Sequence, residues 1–574
     1  MGNTCQPLKN RRRSVIIQDG ALAGLSPTAA LAKRRGIKDP NFTVHPDLQA
    51  EVKELAQYQY PFKNLAFSGG GNRLFAYTGA LEVLHEVGIL DQCTRYAGTS
   101  LGALTACFAA LGIPPRHIIV EVEKVRKDVQ SMLLDAKFGL LSLLPNIKRS
   151  FGWHPATAYQ EWLEVNLEDY AGSRNITFRE FYERTGKELC TVATNLNQMS
   201  AEYCHVKTTP DMPVILALRM SMSLPVLLGA VKYKLRDTED VFVDGGILCN
   251  FPIHVYDGWW LSMAPEDNYF RRLRPVSEVP RLFETNNRFK PTNNETLGVC
   301  LYTADESSLM QLYFKQRYNG NMAEIPNTKL ARKRRKTVQD ALDENTVSTK
   351  LISTFSRFFD LLEEHDVDNS GTLDFKEFKN LIKQNKDKFT DEDFETLFGK
   401  GSDVNTVFER LDEDGNGTVD TLELLRYGES KGLHLTARFL GYDRQEINSF
   451  KDYVVSLQNS VFNHAMREFV SEDDYERTIG VDSHYIRGTD FKIEKEDRDF
   501  LFEQGYRATI AYLSEYVRKH NPPKKPEFQD KEFIDETGNA AESNGDRRSR
   551  IKSETSVQIN LDAIICETTD TTPL

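Results

Sequence analysis

No apolar run in these 574 residues approaches the roughly 20 that a helix needs to cross a bilayer. The charged N-terminus likewise lacks the apolar stretch of a secretory signal. Eight cysteines are scattered without paired spacing, so neither a disulfide framework nor a zinc cluster is expected. Free thiols in a reducing compartment are the expectation, in the cytoplasm or peripherally on the cytosolic face of a membrane. A positive excess is missing too: the net charge is −12, which argues against nucleic acid as a partner. That charge is uneven. Basic runs occur at Arg11–Arg13, Lys33–Arg35 and Arg332–Lys336, while acid collects between Asp360 and Glu429.

What is present centres on residues 64–111. Asn64-Leu-Ala-Phe-Ser68 reads as a strand and is followed by Gly69, Gly70, Gly71, Asn72 and Arg73. A helical segment, Tyr77 to Val87, is closed by Gly88; the short apolar run Arg95-Tyr-Ala then leads into Gly98-Thr-Ser-Leu-Gly102. Ala103 to Leu111 is small and apolar at helical spacing. Together these form a βαβ unit with a G-x-S-x-G elbow. A tight strand-to-helix turn holds a serine hydroxyl out of the sheet, and the flanking glycines relieve its crowding. Ser100 then sits at a helix N-terminus, where free N–H groups favour developing negative charge. The glycine loop ends 100 − 71 = 29 residues upstream, and neighbouring parallel strands would bring its backbone N–H groups beside Ser100. Neither a dinucleotide fingerprint nor a Walker loop is present there. The expectation is a serine hydrolase.

Far downstream, Val241-Phe-Val-Asp-Gly-Gly246 reads as a buried strand ending in a glycine turn, which would present Asp244 at the same sheet edge. The set Gly69-Gly-Gly-Asn-Arg73, Gly98-Thr-Ser-Leu-Gly102 and Asp244-Gly-Gly246 resembles the patatin-like phospholipases, departing from them at Leu74, where that family usually carries glycine. The resemblance implies a three-layer α/β hydrolase with a central, mostly parallel sheet. It also implies a Ser100 nucleophile, Asp244 as the base of a Ser–Asp dyad, and an oxyanion hole drawn from Gly69, Gly70 and Gly71. His254, ten positions beyond Asp244, invites a rival Ser-Asp-His triad; it is read here as a structural histidine. Trp259-Trp260 is read as core rather than as a membrane wedge.

After about residue 316 the chain becomes polar and basic. Asp366, Asp368, Ser370, Thr372, Asp374 and Glu377 then fall at positions 1, 3, 5, 7, 9 and 12 of an oxygen-rich loop with glycine at position 6. Asp412, Asp414, Asn416, Thr418, Asp420 and Glu423 repeat the pattern 412 − 366 = 46 residues later. Calcium takes six to eight oxygens and a closing bidentate glutamate, and the two loops resemble an EF-hand pair. Two Ca2+ sites with a regulatory role are expected, as an all-α insertion, because Arg477-Thr-Ile-Gly-Val-Asp482 and the helical segment Lys495–Arg518 look like closing elements of the hydrolase.

The expected domains are a basic N-terminal segment (1–60), the first part of the hydrolase (61–316), a basic linker (317–346), the EF-hand pair (347–430), the closing part of the hydrolase (431–520) and a disordered tail (521–574). Gly2 and Cys5 are candidates for myristoyl and palmitoyl chains, which with Arg11–Arg13 would bind an anionic membrane. The function expected is calcium-regulated hydrolysis of membrane phospholipid acyl esters. Lipid transacylation and a non-catalytic calcium sensor docking on membranes are the alternatives.

Overall fold

The computed structural model describes residues 44–125, 134–137, 139–234, 238–272, 275–303, 313–314, 317, 321–335, seven positions between 351 and 362, 371–431, 447–448, 450–471 and 473–528. Twelve strands are described: β1 (Asn64–Phe67), β2 (Arg95–Thr99), β3 (Gly152–His154), β4 (Glu188–Asn195), β5 (Ser200–Cys204), β6 (Val226–Leu228), β7 (Val231–Lys234), β8 (Glu239–Asp244), β9 (Thr296–Tyr302), β10 (Leu373–Asp374), β11 (Thr418–Val419) and β12 (Thr478–Asp482). The helices used below are α1 (Pro46–Leu55), α2 (Leu74–Glu86), α3 (Leu101–Ala110), α4 (Leu143–Ser150), α5 (Val214–Ser221), α6 (Phe375–Gln384), α7 (Thr421–Ser430), α8 (Phe450–Phe469) and α9 (Lys495–His520).

The main sheet runs β12-β9-β1-β2-β4-β8-β7, with β5 also paired to β4. Its first five strands are parallel neighbours, while β5 and β8 run antiparallel to β4. Strands buried on both faces read as near-continuous apolar runs, and β1, β4, β9 and β12 are buried along their whole length. Alternate side chains feed two cores. Leu65, Phe67, Leu297 and Val299 join the cluster under α2 and α9. Ala66, Ala97, Val192 and Tyr302 join the cluster formed with Phe251, Ile253 and Tyr256 on the opposite face.

The long C-terminal helix α9 lies against α2, the helix that follows the glycine loop. Their backbones touch: a Cβ on Gly79 would fall 1.9 Å from the Phe502 carbonyl, and one on Gly505 would fall 1.9 Å from the Ala76 carbonyl. The late segment is therefore an integral layer of the sheet. Arg477 seals the return by bridging Asp257, 2.6 Å away, and Asp474, also 2.6 Å away, all three being buried.

Residues 321–335, expected to be linker, pack against this body instead. Ala323 and Ala331 enter the main core, Thr328 donates to Asp497 at 2.6 Å, and Arg334 pairs with Asp490. Their basic character is partly the partner of carboxylates on the closing segment, which composition alone does not reveal. Chain contacts divide at Lys524; the described part of the second unit is one 3-10 turn, Pro526–Phe528. No described helix is long and apolar enough to cross a membrane.

Candidate active site

One edge of β4 builds the site. Glu188–Val192 of that edge pair with β2, so that Thr99 lies opposite Val192. Residues Thr191–Asn195 use the other edge for β5. Ala193–Asn195 therefore offer β8 the edge that β2 has just vacated, and Asp244 lies opposite Ala193. The chain leaves β2 at Ser100 to start α3, and β8 arrives head-on from the other direction. Ser100 and Asp244 meet because their strands share one edge end to end.

Ser100 has φ 54° and ψ −124°, a conformation that L residues rarely adopt. Close approach enforces it: a Cβ on Gly102 would sit 2.4 Å from the carbonyls of Phe67 and Ser68, and one on Gly98 would sit 2.2 Å from the backbone of Gly102. The Ser100 Oγ donates to Asp244 Oδ2 at 2.8 Å. Its backbone N–H donates to Ser221 Oγ, also at 2.8 Å, at the end of α5. The other carboxylate oxygen of Asp244 accepts the Gly246 N–H at 2.8 Å. Burial pushes the Asp244 carboxyl up to about 6, held back from rising further by the Gly246 and Ser100 hydrogen bonds. That is the condition of a base: ionised at neutral pH, yet with more proton affinity than an exposed aspartate.

The glycine loop follows β1. Gly69 donates its N–H to the Asn250 carbonyl at 2.8 Å, so it does not serve as an oxyanion donor as expected; a Cβ built on Gly69 would nonetheless lie 3.5 Å from the Ser100 Cβ. The N–H groups of Gly70 and Gly71 have no acceptor among the described residues. The buried Arg73 locks the loop by donating to the Gly70 carbonyl at 2.8 Å and to Ser483 Oγ at 3.0 Å. Leu74 opens α2 as a buried residue, so its side chain serves the core rather than the loop.

His254 does not touch the pair. Its Nε2 lies 3.0 Å from the Tyr203 hydroxyl, and its ring stacks on Phe469 at 4.6 Å. Burial, aided by Arg477 and Arg288, lowers its pKa to about 3. A neutral histidine wedged among aromatic rings is a packing element. Trp259 is buried as well. Ser221 and Asn250 were not foreseen, and no sequence motif marks them; both are placed by the fold.

A second cluster lies in the stretch between β9 and β12. The carboxylates of Asp412, Asp414 and Glu423 converge, with ligand oxygens within 4.8 Å of one another. Asp420 caps α7 by accepting the Glu423 N–H at 2.8 Å, and Gly417 takes φ 88° at loop position 6. Asn416 Oδ1 accepts from both the backbone and the hydroxyl of Thr418. In the earlier loop Asp374 caps α6 in the same manner with Glu377, and Leu373 pairs with Val419 across the β10–β11 ladder. Thr372 is described; Asp366, Asp368 and Ser370 lie outside the described residues, as do Gly2 and Cys5. Phe355 and Phe358, before the first loop, and Phe408 and Leu411, before the second, share one apolar core.

Residues 65–257 match the patatin-like phospholipase family. Over 194 residues the chain is 27% identical to a protein of Invertebrate iridescent virus 6 named "Probable lipid hydrolase 463L", covering 34% of this chain and 63% of the viral one. Over 230 residues it is 31% identical to YqhO of Bacillus subtilis (strain 168), an uncharacterized protein, covering 38% of this chain and 75% of that one. Among solved structures, VipD from Legionella pneumophila aligns with 80% of this chain and 68% of its own, at 14% identity and a TM-score of 0.34.

Proposed function

This chain belongs to the patatin-like phospholipase family, and from that membership we propose that it hydrolyses acyl esters of membrane glycerolipids through Ser100 and Asp244. The observation that carries the reading is the 2.8 Å hydrogen bond from the Ser100 hydroxyl to a buried carboxylate with raised proton affinity. Ser100 Oγ attacks the ester carbonyl carbon while its proton passes to Asp244 Oδ2. The carbonyl oxygen becomes an oxyanion, to which the N–H groups of Gly70 and Gly71 are available. Collapse breaks the ester C–O bond, and the departing alcohol takes the proton from Asp244. Water then attacks the acyl-enzyme with Asp244 again as base, releasing the fatty acid and restoring Ser100.

The three carboxylates of the Asp412 loop fit calcium, being hard oxygen donors closed by a glutamate at position 12. Asp412, Asp414, Asn416, Thr418, Asp420 and Glu423 are the candidate ligands, and Asp366 to Glu377 are their counterparts in the first loop. Bound calcium would supply the charge that holds these oxygens together; no step of ester cleavage is assigned to it. Regulation has a short path to the site. The helix that follows the loops, α8, packs against the Gly245–Ile247 turn directly after Asp244, and its last residue, Phe469, stacks on His254. Acylation of Gly2 and Cys5 is proposed as a further membrane attachment.

The test is a phospholipid panel with the full chain, in calcium and in chelator, scored for free fatty acid and for acyl transfer. Ser100→Ala is expected to lower release by about 10³-fold or more, and His254→Gln to stay within about tenfold of the parent. Equal losses in both would replace the dyad with a triad. Acyl groups appearing on a second lipid instead of as free acid would make the enzyme a transacylase.

A further inference from the structure

Two apolar residues, one of them five positions after Ser221, are held out in solvent on strained backbone. Phe151 has φ 57° and is 50% exposed; Val226 has φ 68° and is 61% exposed. A β-branched or bulky side chain at positive φ is an outlier that surrounding structure must impose. The two are neighbours, since Val226 pairs with Gly152 across the β3–β6 ladder. Just before them, α4 and the turn preceding it add Leu144 at 77% and Leu141 at 86% exposure. Isolated exposed apolar residues are ordinary, but a contiguous group marks an interaction site.

The same surface is basic. Lys148 and Arg149 on α4 and Lys232 on β7 are exposed, and none pairs with a carboxylate among the described residues; Lys234, also exposed, lies opposite Glu239 on β8. Residues 139–154 and 226–234 contain no Asp or Glu, in a chain whose net charge is −12. Lys232 Nζ lies 5.4 Å from the Phe151 ring centroid, mixing cation and apolar surface directly.

This patch is joined to the catalytic serine. Ser221 holds the Ser100 N–H, and five residues of chain from Ser221 to Val226 span at most about 18 Å. Arg219, two positions before Ser221, donates to the carbonyls of Pro155 and Gly229 and so pins the β3–β6 ladder to α5.

We propose that Leu141, Leu144, Phe151 and Val226, ringed by Lys148, Arg149 and Lys232, form a docking face for an anionic phospholipid bilayer that sets the mouth of the Ser100 site on the lipid. The proposal rests on the lipid-hydrolase reading above. Apolar side chains enter the headgroup–acyl boundary while the cations reach the phosphates. A protein partner fits less well, because lysine is depleted from protein interfaces.

The test uses the full chain made without N-terminal acylation, in a Ser100→Ala background, sedimented with phosphatidylcholine vesicles with and without phosphatidylserine. Phe151→Gly with Val226→Gly removes both side chains where glycine is the residue the backbone favours, so folding is preserved. The pair is expected to weaken binding to mixed vesicles about tenfold or more. Lys148→Gln, Arg149→Gln and Lys232→Gln together are expected to abolish the preference for anionic vesicles. Unchanged sedimentation of both variants overturns the proposal, whether or not the protein is a hydrolase. In the Ser100-containing protein, the glycine pair should lower turnover of vesicle lipid relative to a dissolved short-chain ester about tenfold. Equal loss on both substrates would place these side chains in the active site instead. No turnover of either substrate by the parent, with vesicle binding intact, would refute the hydrolase reading alone.

Discussion

Ser221 Oγ accepts the backbone N–H of Ser100 at 2.8 Å, so the strained serine is tied to the end of α5 as well as to its own strand and helix. Replacing Ser221 with alanine leaves that N–H without its acceptor, a cost of about 1–3 kcal/mol if water does not replace it. Ser221→Ala is expected to lower the unfolding midpoint and to reduce kcat about tenfold with KM little changed, while Ser221→Thr keeps the hydroxyl and most of the activity. Full kcat in the alanine variant would show that the elbow holds itself.

As the base proposed for ester cleavage, Asp244 sets the expected pH dependence. Its carboxyl is raised from 3.8 to about 6 by burial, and only the ionised form accepts the serine proton. The free-enzyme profile of kcat/KM is therefore expected to rise with pH and level off above about 6. Stability moves the opposite way. An acid with a raised folded-state pKa makes its full favourable contribution below the unfolded value, and that contribution is lost as pH rises through about 6. Asp244→Asn should abolish turnover and yet stabilise the protein at neutral pH by up to about 3 kcal/mol, with no gain below pH 4. Denaturant melts at two pH values check both signs.

Calcium added to chelator-stripped protein is expected to raise the unfolding free energy, by about 2.7 kcal/mol per occupied site at a hundredfold excess over the dissociation constant, and the unfolding midpoint with it. Glu377→Gln with Glu423→Gln should remove that shift and the calcium dependence of hydrolysis. If the shift disappears and the dependence remains, the loops bind calcium without governing the site.

The meeting of Ser100 with Asp244 was legible because its signals are local: glycine spacing around Ser100 and after Asp244 reports steric needs that only glycine meets. The parallel strands were equally plain, since burial on both faces leaves an apolar run such as Thr296–Tyr302. What the sequence hid depends on separation. That β8 takes over the edge of β4 where β2 stops, that Asn250 captures the Gly69 N–H, and that Ser221 supports Ser100 are pairings over 47 to 181 residues of chain. Residues 321–335 misled for a related reason: Arg334 reads as solvated charge until Asp490 is seen beside it.

The adjacency of β9 and β12 also bears on how the protein is made. Tyr302 and Thr478 lie 478 − 302 = 176 positions apart, although their strands are hydrogen-bonded neighbours. At about 5–20 residues per second, a ribosome needs roughly 9–35 s to deliver the second strand after the first. Until then β9 is an open, apolar edge with unpaired backbone groups, a template for pairing with another chain. The nascent protein must be shielded through that interval, and a chain stopped before Thr478 keeps the Ser100 elbow and the Asp244 turn but leaves that sticky edge uncovered.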